Sequence, residues 1–178
     1  EAAEPMRCVL EELKRMAAQS WLFHIDDTTM RVQELKRKGH RQESQAGRKG
    51  RVRTGIFTSV IQAFGQGWQV VLYFTGNRYA AERMEEIMML RAAGLPVPIQ
   101  MSDALSWNGA RGYPFVQALC VTHARREFVD VIGKFPEASQ RVVEDLRRVY
   151  QVESEARDGQ LSPEARLRLH QEKSGPVM

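Results

Sequence analysis

The amino-acid sequence predicts an α/β fold in which a mixed five-stranded sheet is flanked by helices. Two segments rich in β-branched and aromatic residues, 55–64 and 68–74, are separated by a short glycine turn of the kind that joins antiparallel strands. Two later strand segments follow connections long enough for crossovers, which favours parallel pairing. The chain after residue 122 has helical composition and spacing, which supplies the flanking helices.

The first half of the chain contains a helix, a three-stranded meander and a second helix. Apolar residues at helical spacing and a proline in the first turn predict a helix over residues 5–18. Strands are predicted at about 22–31, 55–64 and 68–74. A helix over 79–93 is expected to end before Gly94 and Pro96.

The second half contains two short strands and then helices. We predict strands at 97–101 and 115–122, with a loop or one helical turn between them, and helices at about 124–134, 136–157 and 163–173. Pro136 and Pro163 suit first helical turns, Ser162 suits an N-cap and Gly159 a helix end. This order matches the ribonuclease H-like fold. We divide the chain into an N-terminal helix (1–19), a ribonuclease H-like catalytic core (20–160) and a helical tail (161–178).

Size and composition restrict the class of protein. With 178 residues the chain can form one domain with a sizeable core. No apolar run is long enough to span a membrane, and no signal segment is evident. The sequence begins with Glu1, which suggests a processed chain or a fragment of a longer protein. Cys8 and Cys120 are too few for a disulfide framework, so a reducing cytoplasm is expected.

Positive charge is concentrated in one segment. Between residues 36 and 53 eight basic residues face only Glu43, so this segment carries +7 while the rest of the chain, whose total is +4, carries −3. Such a segment is either a solvated loop or a contact for a polyanion such as nucleic acid. The basic residues are Lys36, Arg37, Lys38, Arg41, Arg48, Lys49, Arg51 and Arg53.

Carboxylates follow two of the predicted strands. The apolar segment 22–25 runs directly into Asp26 and Asp27, and Asp103 follows the fourth strand. If these strands are parallel neighbours, their carboxyl ends lie at one edge of the sheet, where open sheets place their sites. Strand alternation puts Asp26 and Asp27 on opposite sides, so only one of them can join Asp103. A turn or cap is the alternative role for either residue.

A third acid is expected from a late helix. Val142, Leu146, Val149 and Glu153 recur at spacings of four, three and four residues, which keeps them on one face. A carboxylate on an apolar face is costly unless a partner such as a metal ion compensates its charge, so Glu153 is the first candidate for the third acid. The alternative is that Glu153, in the last turn of the helix, reaches water. Glu127 is the second candidate.

Three carboxylates in one place indicate divalent metal. Mg²⁺ or Mn²⁺ takes oxygen ligands, and two such ions can support in-line phosphoryl transfer. A nucleic-acid phosphodiester fits the basic segment better than a small phosphate ester does. Cys120 and His123 have metal-like spacing but lack a second pair for zinc. His24 is interpreted as a core residue, and neither a phosphate-binding glycine loop nor a serine-nucleophile motif is present.

Four motifs resemble the DDE transposases of the insertion-sequence sixty-six family. HIDDTTMRV (24–32) resembles the segment around the first catalytic aspartate, and QMSDALSWN (100–108) the second. CVTHARREF (120–128) resembles a signature following the fifth strand. The tail from 149 to 177, with VYQVE, is similar to a helix carrying the catalytic glutamate. RVRTGIFTSV and FTGNRYAAE match more loosely.

The resemblance implies a transposase core with Asp26, Asp103 and Glu153 as catalytic and metal-binding acids. It implies that His123 and Arg126 contact phosphate or support the acids. DNA, as transposon ends and target, is the implied partner, with no membrane, and a homo-oligomer assembled on DNA is compatible with this. The family's amino-terminal DNA-binding and zinc-binding regions are expected to lie outside this chain.

Two other functions stay open. A ribonuclease H-like nuclease would hydrolyse DNA without joining strands. A catalytically degenerate nucleic-acid-binding domain is favoured by departures from the family pattern, since Asp27 and Thr29 replace the usual Glu and Pro. Ala104-Leu105 and Val121-Thr122 also replace the usual Gly-Tyr and Trp-Ala.

Overall fold

The computed structural model describes residues 3–31, 55–103 and 112–178, with side chains from residue 6. It contains two compact units, Glu1–Leu119 and Cys120–Met178, which we describe separately. In chain order the elements are α1 (Ala3–Ala18), β1 (Leu22–Arg31), β2 (Gly55–Phe64), β3 (Gln69–Gly76), α2 (Ala80–Met88), β4 (Ile99–Ser102), β5 (Val116–Leu119), α3 (Val121–Asp130), α4 (Pro136–Asp158), α5 (Pro163–Lys173) and a 3₁₀ turn (Gly175–Val177).

The five strands form one mixed sheet in the order β3-β2-β1-β4-β5. β1, β2 and β3 are antiparallel neighbours, whereas β1 with β4 and β4 with β5 are parallel. Gly67 has a φ of 77° in the turn between β2 and β3, and a Cβ on Gly65 would lie 2.0 Å from the Trp68 ring, so this turn requires both glycines. The predicted α/β, ribonuclease H-like fold class is confirmed.

One face of the sheet carries the core of the first unit. α1 packs on β2 and β3, and α2 packs on β1 and β2. Alternate strand residues are buried beneath these helices, because side chains along a strand point to opposite faces. The strand residues of this hydrophobic core are Phe23, Ile25, Ile61, Ala63, Val70 and Leu72.

Several predicted elements have bounds that differ from the observed ones, among them the strand predicted over 97–101 (observed Ile99–Ser102) and the helix predicted over 124–134 (observed Val121–Asp130). The helix predicted to reach residue 93 ends at Met88, because the N–H groups of Leu90 and Arg91 bond to carbonyls three residues back and tighten the chain. The strand predicted over 115–122 ends at Leu119. Val121 and Thr122 instead begin α3, where the N–H groups of His123 and Ala124 bond to the Cys120 carbonyl. The loop predicted around 108–112 lies mostly outside the described residues.

Arg91 connects the end of α1 to the chain that leads into β4. Its Nη1 donates to the carbonyls of Ala18 and Ser20 at 2.7 and 2.8 Å, and its Nη2 donates to the carbonyl of Pro96 at 2.7 Å. A cation at a helix C-terminus satisfies carbonyls that have no helical partner. Arg91 therefore fixes the segment that positions β4 beside β1.

We expect Arg91→Ala to lower the free energy of unfolding by about 2–4 kcal/mol, since hydrogen bonds from charged donors are each worth about 1.5–3 kcal/mol and water replaces some of them. Urea denaturation measures this change. Arg15→Ala is the control, because Arg15 pairs with Glu12 only on the exposed side of α1; it should cost under about 0.5 kcal/mol. Equal costs for the two variants would contradict the role of Arg91.

The second unit is helical. As predicted, Pro136 and Pro163 lie in the first turns of α4 and α5, and the Ser162 hydroxyl accepts from the Ala165 N–H at 3.3 Å. Gly159 caps the end of α4, also as predicted. α4 packs against both α3 and α5. Leu146, Val152 and Ala156 are its buried apolar residues. Across the described ranges, no helix combines the length and hydropathy that a membrane crossing requires.

Candidate active site

The strands β1 and β4 bring two of the predicted acids to equivalent positions. Their parallel register pairs Phe23 with Gln100 and His24 with Met101. Two residues beyond this last pair lie Asp26 on β1 and Asp103 after β4. Adjacent strands are separated by about 4.8 Å. Asp103 therefore follows the carboxyl end of β4, and Asp26 occupies the matching position on β1. The prediction that Asp26 ends its strand is wrong, because β1 continues to Arg31 through its pairing with β2.

Asp26 and Asp27 differ in environment, as strand alternation predicts. Asp26 is exposed, and its Oδ1 accepts a hydrogen bond from the backbone N–H of Asp27 at 2.9 Å. Asp27 follows the inward series of Phe23 and Ile25 and is half-buried on the side of the sheet that α2 covers. Asp26 thus lies on the side of β1 opposite to the core.

Asp27 contacts two other elements of the first unit. Ser59, its register partner on β2, donates its hydroxyl to Asp27 Oδ1 at 2.5 Å. The backbone N–H of Ala80, the first residue of α2, donates to both carboxylate oxygens at 2.9 and 3.1 Å. Burial raises the pKa of Asp27, the bonds from Ser59 and Ala80 act against this, and the charges of Asp26 and Asp103 raise the pKa further. Asp27 therefore interacts electrostatically with both Asp26 and Asp103.

The raised pKa of Asp27 predicts a dependence of stability on pH. The folded state binds the proton of the Asp27 carboxyl more tightly than the unfolded chain does. Protonation of Asp27 therefore stabilises the fold fully below pH about 3.9, the usual pKa of Asp, and this stabilisation is lost as pH rises through the pKa of the folded state. We therefore expect Asp27→Asn to lower the free energy of unfolding, measured by urea denaturation, more at about pH 4 than at about pH 7. Thr58→Ala, on the exposed side of β2, should lower the free energy of unfolding equally at both pH values. A loss of stability in Asp27→Asn that grows as pH rises would contradict the prediction.

Glu153 lies on α4 in the second unit and is bound by two residues of α5. Arg166 donates to both of its carboxylate oxygens, through Nε to Oε2 at 3.0 Å and through Nη2 to Oε1, and His170 Nε2 lies 3.0 Å from Oε2. The hydrogen bond with His170 lowers the pKa of Glu153, burial opposes this, and the charge of Arg166 lowers it again. Glu153 is 29% exposed, and the buried positions nearby are Val152 and Ala156. The carboxylate is therefore compensated by Arg166 and His170 on the neighbouring helix. Glu127, the second candidate, is exposed on α3.

The remaining predicted site residues are only partly described. His123 is half-buried in the first turn of α3, and Arg126 is exposed on the same helix. Burial alone would raise the pKa of the Cys120 thiol, but hydrogen bonding with His123 and Thr122 lowers it. The basic segment, with Lys36, Arg37, Lys38, Arg48, Lys49, Arg51 and Arg53, lies outside the described residues.

The donor set fits a hard divalent cation in part. Asp26 and Asp103 offer carboxylate oxygens at one sheet edge, which is the ligand type of Mg²⁺ and Mn²⁺. Within residues 3–31, 55–103 and 112–178, no three His, Cys, Asp or Glu residues are arranged to hold one ion together. Asp26 and Asp103 therefore form a pair to which a further ligand would have to be added.

Sequence reasoning missed the polar partners of these acids. Ser59 was detectable, because it is a polar residue in the inward series Phe57, Ile61 and Ala63, and the hairpin register places it opposite Asp27. Arg166 and His170 are four residues apart, so they share one face of α5. Nothing in the sequence showed that this face would meet Glu153.

Comparison with known proteins identifies a family for this chain. The family model described as Transposase IS66 family matches residues 1–178. No curated protein and no solved structure gives a significant match. The match extends over every residue of the chain, including both units and all three candidate acids. The chain belongs to the Transposase IS66 family.

Proposed function

We propose that this chain is a catalytic core of DNA transposition, in which Asp26 and Asp103 hold a divalent cation for phosphoryl transfer. Membership of a transposase family supports the role in transposition. The observation that supports the site assignment is the parallel register of β1 and β4, which gives Asp26 and Asp103 matching positions beside the carboxyl end of β4. Open α/β sheets place their sites outside the carboxyl ends of strands.

Bound Mg²⁺ or Mn²⁺ would supply charge stabilisation and activation of an attacking oxygen. In nicking, a water oxygen bonds to phosphorus and the bond to the bridging 3′ oxygen breaks. In strand transfer, the freed 3′-hydroxyl oxygen bonds to a target phosphorus, and the target's own 3′ oxygen leaves. Asp26 and Asp103 would hold the cation through their carboxylate oxygens.

Glu153 is proposed as the third acid. Because Arg166 and His170 contact its carboxylate, metal ligation by Glu153 requires these contacts to be exchanged for metal. Proposed supports for DNA are the basic segment from Lys36 to Arg53, together with His123 and Arg126. Contacts of Lys and Arg side chains with the phosphates of DNA give salt-dependent affinity without sequence preference.

A strand-transfer assay tests the proposed function. The chain is incubated with a labelled DNA duplex that ends in a free 3′-hydroxyl and with a supercoiled plasmid as target. We expect label to become joined to plasmid only when Mg²⁺ or Mn²⁺ is present. Metal-dependent nicks without joined product would favour a hydrolytic nuclease, and DNA binding without either product would favour a non-catalytic domain.

A further inference from the structure

Asp27 connects three elements of the first unit at the end of the candidate site. Its carboxylate lies opposite Ser59 of β2 and at the first residue of α2, and it accepts hydrogen bonds from both. A carboxylate suits this position because Ser59 and the Ala80 N–H are both donors. An amide in its place would turn an NH₂ donor toward one of them.

The same residue also contacts Asp26. The backbone N–H of Asp27 donates to Asp26 Oδ1 at 2.9 Å. The Asp27 side chain is fixed to β2 and α2, so the orientation of the peptide group that carries this N–H is fixed with it. The orientation of the Asp26 carboxylate therefore depends on hydrogen bonds made on the other side of the strand.

We propose that Asp27 is a positioning residue, which holds the Asp26 carboxylate in the orientation that binds metal, through its own hydrogen bonds with Ser59 and α2. This rests on the proposed function, in which Asp26 is a metal ligand. Residues that orient metal ligands from outside the ligand set typically change metal affinity about 10- to 100-fold when they are substituted. Ser59, which is fully buried, acts one step further from the metal than Asp27 does.

The direct test measures Mn²⁺ binding to the whole chain without DNA, and the electron paramagnetic resonance signal of free Mn²⁺ monitors this binding. Ser59→Ala removes a hydrogen bond to Asp27 without changing any charge near Asp26. Ser59→Cys keeps a similar shape with a weaker donor, so it also serves if Ser59→Ala does not fold. We expect affinity to fall about 3- to 10-fold in Ser59→Ala, less in Ser59→Cys, and about 10-fold or more in Asp27→Asn.

Thr58→Ala is the matched control, since Thr58 precedes Ser59 on β2 but is exposed and bonds to Thr75. It should leave Mn²⁺ affinity unchanged, and circular dichroism should show each compared variant folded at the temperature of measurement. The inference is overturned if both Ser59 variants bind Mn²⁺ as the unmodified chain does. It is also overturned if only Asp27→Asn weakens binding, which would indicate a charge effect, or if Thr58→Ala weakens binding equally. Full Mn²⁺ affinity in Asp26→Asn would instead refute the proposed metal site itself.

Discussion

Asp26→Asn and Asp103→Asn are each expected to reduce metal-dependent DNA nicking by about 10³-fold or more. A catalytic metal contributes several kcal/mol of transition-state stabilisation, and each 1.36 kcal/mol corresponds to about tenfold in rate. The two residues hold matching positions on parallel strands, so loss of either removes half of the carboxylate pair at this edge. Nicking of supercoiled plasmid in Mg²⁺ or Mn²⁺ measures the effect.

Asp26→Asn should leave folding and DNA affinity nearly unchanged. Asp26 is exposed, and surface substitutions usually alter stability by no more than about 0.5 kcal/mol. Asp130→Asn makes the same chemical change at an exposed position of α3 and serves as the control for activity. If Asp26→Asn or Asp103→Asn nicks DNA at the rate of Asp130→Asn, the assignment of the metal-binding pair is wrong.

A cysteine at either position tests direct contact with the metal. A thiolate is a poor ligand for Mg²⁺ but accepts softer ions. Asp26→Cys and Asp103→Cys should therefore be inactive in Mg²⁺ and regain nicking when Mn²⁺ or Cd²⁺ is supplied. Recovery confined to the two cysteine variants, and absent from the asparagine variants, would separate metal ligation from a general electrostatic role.

The sequence predicted the strands of the meander better than the ends of other elements. Residues 22–31 and 55–64 were predicted with the observed bounds. β-Branched and aromatic residues between Gly55 and Gly65 define β2 locally, and the apolar run 22–25 indicates the start of β1. The end of α2 and the start of α3 are set by backbone hydrogen bonds to the carbonyls of Ile87, Met88 and Cys120, and composition does not reveal which carbonyl accepts them. Local pattern therefore gave the element types more accurately than their limits.

The candidate site shows the same division between local and tertiary information. Alternation put Asp26 and Asp27 on opposite sides of β1, but only the packing of α2 on one face shows which of them is outward. Helix periodicity put Glu153 near an apolar stripe, yet the pairing of its carboxylate with Arg166 and His170 depends on the packing of α5 against α4. Periodicity defines the direction of a side chain relative to its own element, and not its partner on another.

If Glu153 is the third acid, Glu153→Gln is expected to reduce metal-dependent nicking by about 10²- to 10³-fold. The reason is that each 1.36 kcal/mol of lost transition-state stabilisation by the metal corresponds to about tenfold in rate. Its cost in stability should be small, because Arg166 is 52% exposed and exposed ion pairs are worth about 0–1 kcal/mol. Glu127→Gln is the comparison, since Glu127 is the other candidate. A large loss in Glu127→Gln with none in Glu153→Gln would move the third acid to α3.

Arg166→Gln tests whether the ion pair competes with metal for Glu153. Removing a competing partner worth about 0.5–1 kcal/mol should lower the Mn²⁺ concentration that gives half-maximal nicking about two- to fivefold. Lys173→Gln is the matched control, because Lys173 joins the same two helices through Glu155 at 2.7 Å without contacting Glu153. It should leave the Mn²⁺ requirement unchanged. If Arg166→Gln instead lowers activity as much as Glu153→Gln does, the pair acts as a unit and Glu153 serves α5 rather than the metal.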